Sequence, residues 1–274
     1  MKHSIPIKSR SIKKAILLLC AACCAAFGQE GSRDGFCNLR NTAFKAGESF
    51  TLTVYYSVAG LYISAGTATV TTGLTTFNNR PVYHIAALGR SGDYYDWIFK
   101  VRDRYETYVD TATMQPLKFI RQVSEGGYKK NEDVSFNRQT NTTTTTEGIY
   151  QTPQCVQDVV SAVFNARNID YAKCSVNEQI PFQMFMDNQV YNLYIRYLGK
   201  EQVKTHLGTF NAIKLKPLLI KGEMFKDADK MTLWVSDDAN HLPLRVESPI
   251  IVGSIKVDMT AYSNLRYPLS SRVQ

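Results

Sequence analysis

The sequence predicts a mainly β protein, built as a large curved antiparallel sheet or a half-open barrel or sandwich, with one amphipathic helix packed on it. Apolar residues recur with a period of two through most of the chain, turn residues interrupt these runs at short intervals, and only one segment carries a helical period. Side chains two residues apart point to the same side of a strand, which leaves one face buried and one wet. Closely spaced turns favour hairpins over parallel crossovers.

The alternation is clearest in the first predicted strand, whose apolar positions are Phe50, Leu52, Val54, Tyr56 and Val58. The chain also contains 16 Tyr and 13 Phe, residues that suit the pleated surface of a sheet. Turn signals separate such runs, among them Asn78-Asn79, Gly126-Gly127 and Asp187-Asn188. These pairs indicate hairpin ends.

The helical segment is predicted over residues 153–167. Its apolar residues share one helical stripe, and they are Val156, Val159, Val160, Val163 and Phe164. Thr152 is the expected N-cap, and Pro153 suits the first helical position. Arg167 stands near the C-terminus, where a cation interacts favourably with the helix dipole. We expect the apolar stripe to pack against the sheet.

A weak internal repeat suggests that two β halves, about 41–150 and 176–266, flank this helix. In the first copy, Asp110 is followed after five residues by Pro116-Leu117. In the second copy, Asp237 is followed after five residues by Pro243-Leu244. Asp bonds its own turn backbone, and Pro suits the start of a returning strand, so each copy predicts a hairpin. The two halves would form a single domain over 41–266, between an N-terminal segment at 29–40 and a tail at 267–274.

Residues 1–28 are predicted to be a signal peptide. Five basic residues and no acid precede the apolar run 15–27, which ends at the small residues of Ala26-Phe27-Gly28. The run is too short for a membrane span, which takes about 20 apolar residues. We therefore expect a periplasmic or envelope protein with no transmembrane segment after signal removal. An outer-membrane lipoprotein anchored at Cys23 is the alternative, although Cys20 stands where a Leu is usual.

Charge argues against nucleic acid as a partner. The formal net charge is +8, but five of the 32 basic residues lie in 1–28, which leaves 27 basic against 24 acidic residues. Residues 29–274 contain no block of basic residues suited to a row of phosphates.

Three cysteines follow the predicted signal peptide: Cys37, Cys155 and Cys174. An oxidising compartment permits a disulfide. Cys155 and Cys174 flank the predicted helix, so we expect that pair to be bridged and Cys37 to be left over. Three buried thiols are the alternative, because spacing alone does not decide the pairing.

The sequence carries no catalytic, metal or nucleotide motif, and we predict neither an enzyme nor a cofactor. The histidines after residue 28, His84, His206 and His241, are widely spaced, and residues 29–274 contain no HExxH, CxxC or glycine-rich phosphate loop. A hydrolase assembled from distant residues is an alternative. It would need one of these histidines beside a carboxylate and a Ser or Cys.

Aromatic residues give the remaining lead. Tyr95, Trp97 and Phe99 alternate in a predicted strand, and together with Trp234 they are candidates for lining a ligand groove. A large curved sheet offers more concave surface than one short helix covers, and an apolar groove is a common ligand site. We expect an apolar partner such as a lipid. A structural or protein-interaction module of an envelope complex is the alternative.

Several short motifs in order, among them Gly47-Glu48, Asp96-Trp97-Ile98-Phe99, Trp234-Val235-Ser236-Asp237-Asp238 and Val252-Gly253-Ser254, resemble an exported bacterial family known as domain of unknown function 3108. The resemblance covers about residues 40–265. It implies a Gram-negative envelope location and a β-rich fold, and it supplies no catalytic residues. The Asp-turn-Pro hairpins also look like those of periplasmic lipoprotein carriers, which are half-open barrels that accept acyl chains.

Overall fold

The computed structural model describes residues 35–58, 61–94, 96–97, 99–218, 230–249 and 253–273, so the predicted signal peptide lies outside the described residues. One 14-stranded antiparallel sheet forms the body, which confirms the predicted fold class. Its strands in chain order are β1 Ser49–Val58, β2 Leu61–Phe77, β3 Arg80–Ser91, β4 Arg102–Asp110, β5 Pro116–Glu125, β6 Tyr128–Asn137, β7 Thr142–Thr144, β8 Ile149–Gln151, β9 Gln179–Met186, β10 Gln189–Thr205, β11 Gly208–Pro217, β12 Thr232–Ser236, β13 Pro243–Pro249 and β14 Ser254–Ser263. Helix α1 spans Val159–Ala166, and a short 3₁₀ turn spans Tyr171–Lys173.

The strand order is that of an up-and-down barrel opened at one point. Strands β1 to β8 follow one another from the middle of the sheet to one edge, and β9 to β14 return from the other edge. The first and last strands pair, with Val54 opposite Val257. Among the fourteen strands of the described residues, only the junction between β8 and β9 lacks a strand pair, and the segment 152–178, which contains α1, connects these two edges.

Contacts between the two edges show how strongly the sheet curves. Arg121 on β5 forms an ion pair with Glu132 on β6 and with Asp187 in the β9–β10 turn. The rings of Phe136 and Phe185, from β6 and β9, lie 6.4 Å apart. We call this junction, defined by these five residues, the seam.

Helix α1 lies against two buried clusters. Val160 and Phe164 belong to a cluster whose other members come mainly from β1 to β6 and from β9 to β14. Ala162 and Ala166 belong to a second cluster with residues of β9 to β12. The helix therefore covers parts of both halves on the core-facing side of the sheet. This confirms the expected packing of helix on sheet.

The predicted helix bounds of 153–167 are wrong at the N-terminus. Asp158, not Thr152, is the N-cap, and its carboxylate accepts from the amides of Val160 and Ser161. The preceding residues are not helical, because residues 154 and 155 form a turn and Gln157 pairs with β9, its amide donating to the Gln183 carbonyl at 2.8 Å. Val163 is 48% exposed, contrary to its place on the predicted apolar stripe, because the buried face of α1 is formed by Val160, Ala162, Phe164 and Ala166 together with two polar residues.

Both copies of the internal repeat are hairpin turns, as predicted. They connect β4 to β5 and β12 to β13, and each contains a residue at positive φ in the equivalent place, Met114 at 58° and His241 at 42°. Both turns contact the helical segment, because Asn165 donates to the Met114 carbonyl and Arg167 donates to the Asn240 carbonyl. Duplication of the two halves stays a prediction.

The predicted Cys155–Cys174 bridge is wrong. Cys155 is bonded to Cys37, with Cα atoms 5.3 Å apart, and the Cys174 thiol instead faces the Asp170 carbonyl. The segment that carries Phe36 packs with α1 and β9, which brings Cys37 beside the extended stretch before the helix. Sequence spacing could not show this, since the bridged residues are 118 positions apart.

Candidate ligand site

The predicted aromatic groove is not formed as expected. Tyr95 lies outside the described residues, while Trp97 and Phe99 lie in the connection between β3 and β4 instead of a strand. The Asp96 carboxylate accepts from Ser91 and Arg102, which holds this connection as a loop. As a result Trp97 is 81% exposed.

Trp234 lies apart from these aromatics. Four strands separate β12 from β3 in the sheet order. The Trp234 ring is 8% exposed, its Nε1 donates to Glu201 at 2.7 Å, and the Lys214 ammonium lies 5.5 Å from the ring centroid. Within the described residues, the Trp234 side chain is therefore buried and its N–H group is hydrogen-bonded inside the fold. It does not line a groove with Trp97 and Phe99.

Exposed aromatic residues instead gather at one end of the sheet. Odd-numbered strands from β1 to β5 run in the same direction, so the β1–β2, β3–β4 and β5–β6 connections lie at the same end. Five exposed aromatic side chains lie on or beside them, and we call this group the rim: Tyr62, Tyr94, Trp97, Phe99 and Tyr128. Phe99 rests on Gly126, where a Cβ would lie 2.2 Å from the ring.

An apolar strip runs along the core-facing side of the middle strands toward this rim. Val54 pairs with Val257, and Val257 with Val246. Tyr56 pairs with Ile255 in the next layer, and cross-strand partners share a face. One layer further from the rim, Leu52 pairs with the fully buried Met259, which identifies this face as core-facing. We define the strip by five residues: Val54, Tyr56, Val246, Ile255 and Val257.

Solvent reaches this strip. All five side chains are only partly buried, and none belongs to either buried cluster or to the residues packed against one. Helix α1 covers the deeper part of the core-facing side, and its cover does not extend to the strip. The alternation of β1 pointed to this face, but the sequence had no signal for where the helical cover ends.

Comparison with protein families places this fold. Residues 39–260 match the family model described as protein of unknown function, DUF3108. The chain belongs to the DUF3108 family. This confirms the resemblance drawn from the motifs, and a comparison with curated proteins finds no match.

The solved structures similar to this DUF3108 chain include a β-barrel-like protein. A β-barrel-like protein of the DUF1849 domain from Brucella abortus has a TM-score of 0.54 at 8% identity, over 82% of this chain and all of that chain. A candidate exported protein with a YmcC-like fold from Bacteroides fragilis gives a TM-score of 0.34 at 9% identity, with 82% of this chain and all of that chain covered. The first of these supports the barrel-like architecture.

A carboxyl pair lies at the rim end of the DUF3108 chain. Asp103 opens β4 opposite Gly89, and Glu125 ends β5. Burial and a hydrogen bond with Asp103 raise the pKa of Glu125 to about 7. The pair is therefore partly protonated at neutral pH, which reduces the negative charge at the rim end of β4 and β5.

The histidines do not assemble a hydrolase site in the described part of the DUF3108 chain. His84 bonds to Glu106 at 3.0 Å and stacks on Tyr108, while His241 Nδ1 lies 2.7 Å from the Arg167 carbonyl. Neither ring is hydrogen-bonded to a Ser or Cys among these residues. The same residues contain no group of three or more His, Cys, Asp or Glu suited to a metal ion. Nor does any helix there have the length and apolarity to cross a bilayer.

Proposed function

We propose that this protein is an exported, non-catalytic protein of the bacterial envelope that binds an apolar ligand, such as a lipid acyl chain, on the core-facing side of its sheet. The observation that carries the proposal is the apolar strip, which faces the interior of the curved sheet and is reached by solvent. Core-facing valine and isoleucine side chains normally lose this contact with water on folding. A ligand that covers them completes the burial.

Covering the strip with an apolar ligand should contribute about 25 cal/mol of binding free energy per Å² of apolar surface removed from water. The rim supplies aromatic side chains at the end where such a ligand would enter. The Glu125 carboxyl at the same end of the sheet, with its pKa of about 7, carries less negative charge at neutral pH than an ordinary carboxylate would.

Two observations support an envelope location. The Cys37–Cys155 bridge belongs to proteins that fold in oxidising compartments, because cytosolic thiols are generally kept reduced. The basic and apolar sequence of residues 1–28 has the pattern of an export signal.

The test is lipid content and fatty-acid binding. Protein purified from the periplasm is extracted and analysed by native mass spectrometry, and a fluorescent fatty acid is titrated into the delipidated protein. We expect bound lipid in the first experiment and saturable binding in the second. Val257→Asn places an amide on the strip, and burying an unpaired amide costs about 1–3 kcal/mol, so fatty-acid binding should weaken about tenfold or more.

Ile149→Asn is the matched control, because it also replaces a β-branched apolar residue, but at an exposed position on the outward side of β8. If Val257→Asn does not fold, Val54→Thr makes a milder polar change on the same strip. Lipid-free protein together with no saturable fatty-acid binding would refute the proposal, and so would equal loss in Val257→Asn and Ile149→Asn. A stoichiometric protein partner without lipid would favour an interaction module instead.

A further inference from the structure

We propose that a groove on the outer face of the sheet, beside the rim, binds the phosphate of an anionic lipid headgroup and so docks this end of the protein on a bilayer. The groove has a volume of about 540 Å³ and crosses β2 to β5. It is lined by Thr67, Thr69, Leu88, Gly89, Arg90, Arg102, Asp103, Arg104 and Gln122.

The groove lies on the face opposite the core. Ala87 and Tyr105 pack against the buried cluster, so their neighbours Leu88 and Arg104 point outward. Leu88 and Arg104 are themselves cross-strand partners, as are Arg90 and Arg102. The strand register thus places three guanidinium groups on one outer surface.

These arginines leave hydrogen-bond donors available. Arg102 pairs with Asp96, and Arg104 pairs with Glu106 through Nε. Arg90 is exposed and takes part in no ion pair among the described residues. The charges of Asp93 and Lys100 also act on the Arg102–Asp96 pair, so four cations face three carboxylates and leave one net positive charge on this surface. Asp103 is not counted, because its side chain lies on the core-facing side, where it accepts from the Ser124 amide.

Guanidinium groups match phosphate with paired donors, and each of the three has five N–H groups. The Thr67 and Thr69 side chains and the Gln122 amide add neutral polar groups to the same groove. The chemistry of the groove is therefore that of a phosphate monoanion site with one apolar wall at Leu88.

The neighbouring loop indicates that this phosphate belongs to a lipid at a bilayer surface. The bond between Arg102 and Asp96 ties the groove to the β3–β4 connection, on which Tyr94 and Trp97 are each 81% exposed. Tyr and Trp favour the membrane–water interface, where their rings lie at headgroup level. On a docked protein the aromatic rings would lie at the boundary of the acyl chains and the arginines at the phosphates. This is the order of these groups in an anionic leaflet.

Co-sedimentation with vesicles tests this docking. We expect the protein to bind vesicles that contain phosphatidylglycerol and to bind pure phosphatidylcholine vesicles much less. Arg90→Gln removes one charge and should weaken binding about fivefold, since a basic residue near an anionic surface contributes about that factor. Arg40→Gln, which neutralises an exposed arginine in the segment before β1, should bind as wild type.

A second variant pair tests the aromatic contribution. Trp97→Ser should reduce vesicle binding and remove a blue shift of tryptophan fluorescence on binding, whereas Leu74→Ser, which changes an exposed leucine toward the other end of β2, should leave both unchanged. Equal binding to neutral and anionic vesicles would overturn the proposal. Stabilisation by inorganic phosphate without any vesicle binding would also overturn it, in favour of a soluble phosphate ligand.

Docking does not require a lipid inside the sheet, and the variants separate the two sites. Val257→Asn should bind the fatty acid about tenfold more weakly and keep vesicle binding. Arg90→Gln should bind vesicles about fivefold more weakly and keep its content of extracted lipid. Loss of both activities in both variants would contradict the assignment of two distinct sites.

Discussion

At the scale of single residues, one buried ion pair fastens the end of the helical segment to the start of the sheet. Arg167 donates to the Glu48 carboxylate at 2.6 and 3.1 Å, and both side chains are almost completely buried. Its Nε donates to the Asn240 carbonyl at 3.1 Å. Three rings surround the guanidinium, those of Phe44, Phe50 and Phe164.

Removing one partner of this pair should be strongly destabilising, because it leaves an uncompensated charge in the core. We expect Arg167→Met or Glu48→Gln to lower the free energy of unfolding by about 3–5 kcal/mol in urea denaturation. The double variant should lose much less than the sum of the two. Lys173→Met, which removes an exposed pair with Asp170, should change stability by less than about 1 kcal/mol. Additive losses in the double variant would disprove the coupling.

The sequence predicted Arg167 at the end of a helix but not its partner. Glu48 is 119 positions away, and no local pattern joins them. The aromatic groove failed for a related reason. Trp97 and Phe99 have the alternation of a strand, yet the polar network of Ser91, Asp96 and Arg102 makes this stretch a loop. Periodicity reports which residues could share a face, and it does not report competing polar contacts.

At the scale of elements, α1 begins on a carboxylate that is completely buried. Asp158 accepts two amide hydrogen bonds of 2.8 Å and one from the Thr107 hydroxyl at 2.6 Å. Burial nevertheless raises the pKa of Asp158 to about 6. Since this value lies above the ordinary 3.8, the native state holds the proton more tightly than the unfolded chain. The stabilising contribution is therefore present below about pH 4 and is lost as pH rises through about 6.

Asp158→Asn should remove this pH dependence while keeping a good N-cap. The stability of the variant relative to wild type should rise by about 2 kcal/mol between pH 4 and pH 7, measured by urea denaturation across that range. Asp170→Asn is the control with the opposite sign, because a hydrogen bond with Lys173 lowers the pKa of Asp170. A constant difference between Asp158→Asn and wild type would show that the carboxyl is not perturbed.

The element scale also shows what local sequence determines. Strands, hairpins and the presence of one helix followed from period and turn residues, and the positive-φ turns at Met114 and His241 occupy equivalent places in the repeat. The start of α1 did not follow, because Gln157 pairs with β9 and Asp158 competes with Thr152 as the cap. Tertiary pairing of an extended segment overrode a helical pattern.

At the scale of the whole molecule, curvature decides which apolar residues remain available. The sheet closes on itself through the pairing of β1 with β14 and through the seam, both of which join distant parts of the chain. The sequence predicts the face on which Val54 and Val257 lie, but their partial exposure depends on the length of α1 and on its position inside the curve. A partly exposed apolar strip of this kind can therefore be located only from the three-dimensional structure.

The Cys37–Cys155 bridge acts on this assembly as a whole, because it closes a 118-residue loop that contains β1 to β8. In the loop-entropy model such a bridge stabilises by about 5 kcal/mol, mainly by restricting the unfolded chain. Cys37→Ser or Cys155→Ser should therefore lower the melting temperature strongly. Cys174→Ser should leave it nearly unchanged, since that thiol is outside the bridge.

Calorimetry of the three variants with and without a reductant separates the bridge from ordinary packing. Reductant should lower the melting temperature of wild type and of Cys174→Ser to that of Cys37→Ser, and it should have no effect on Cys37→Ser itself. A larger loss in Cys174→Ser than in Cys37→Ser would contradict the pairing, because it would place the stabilising bond at Cys174.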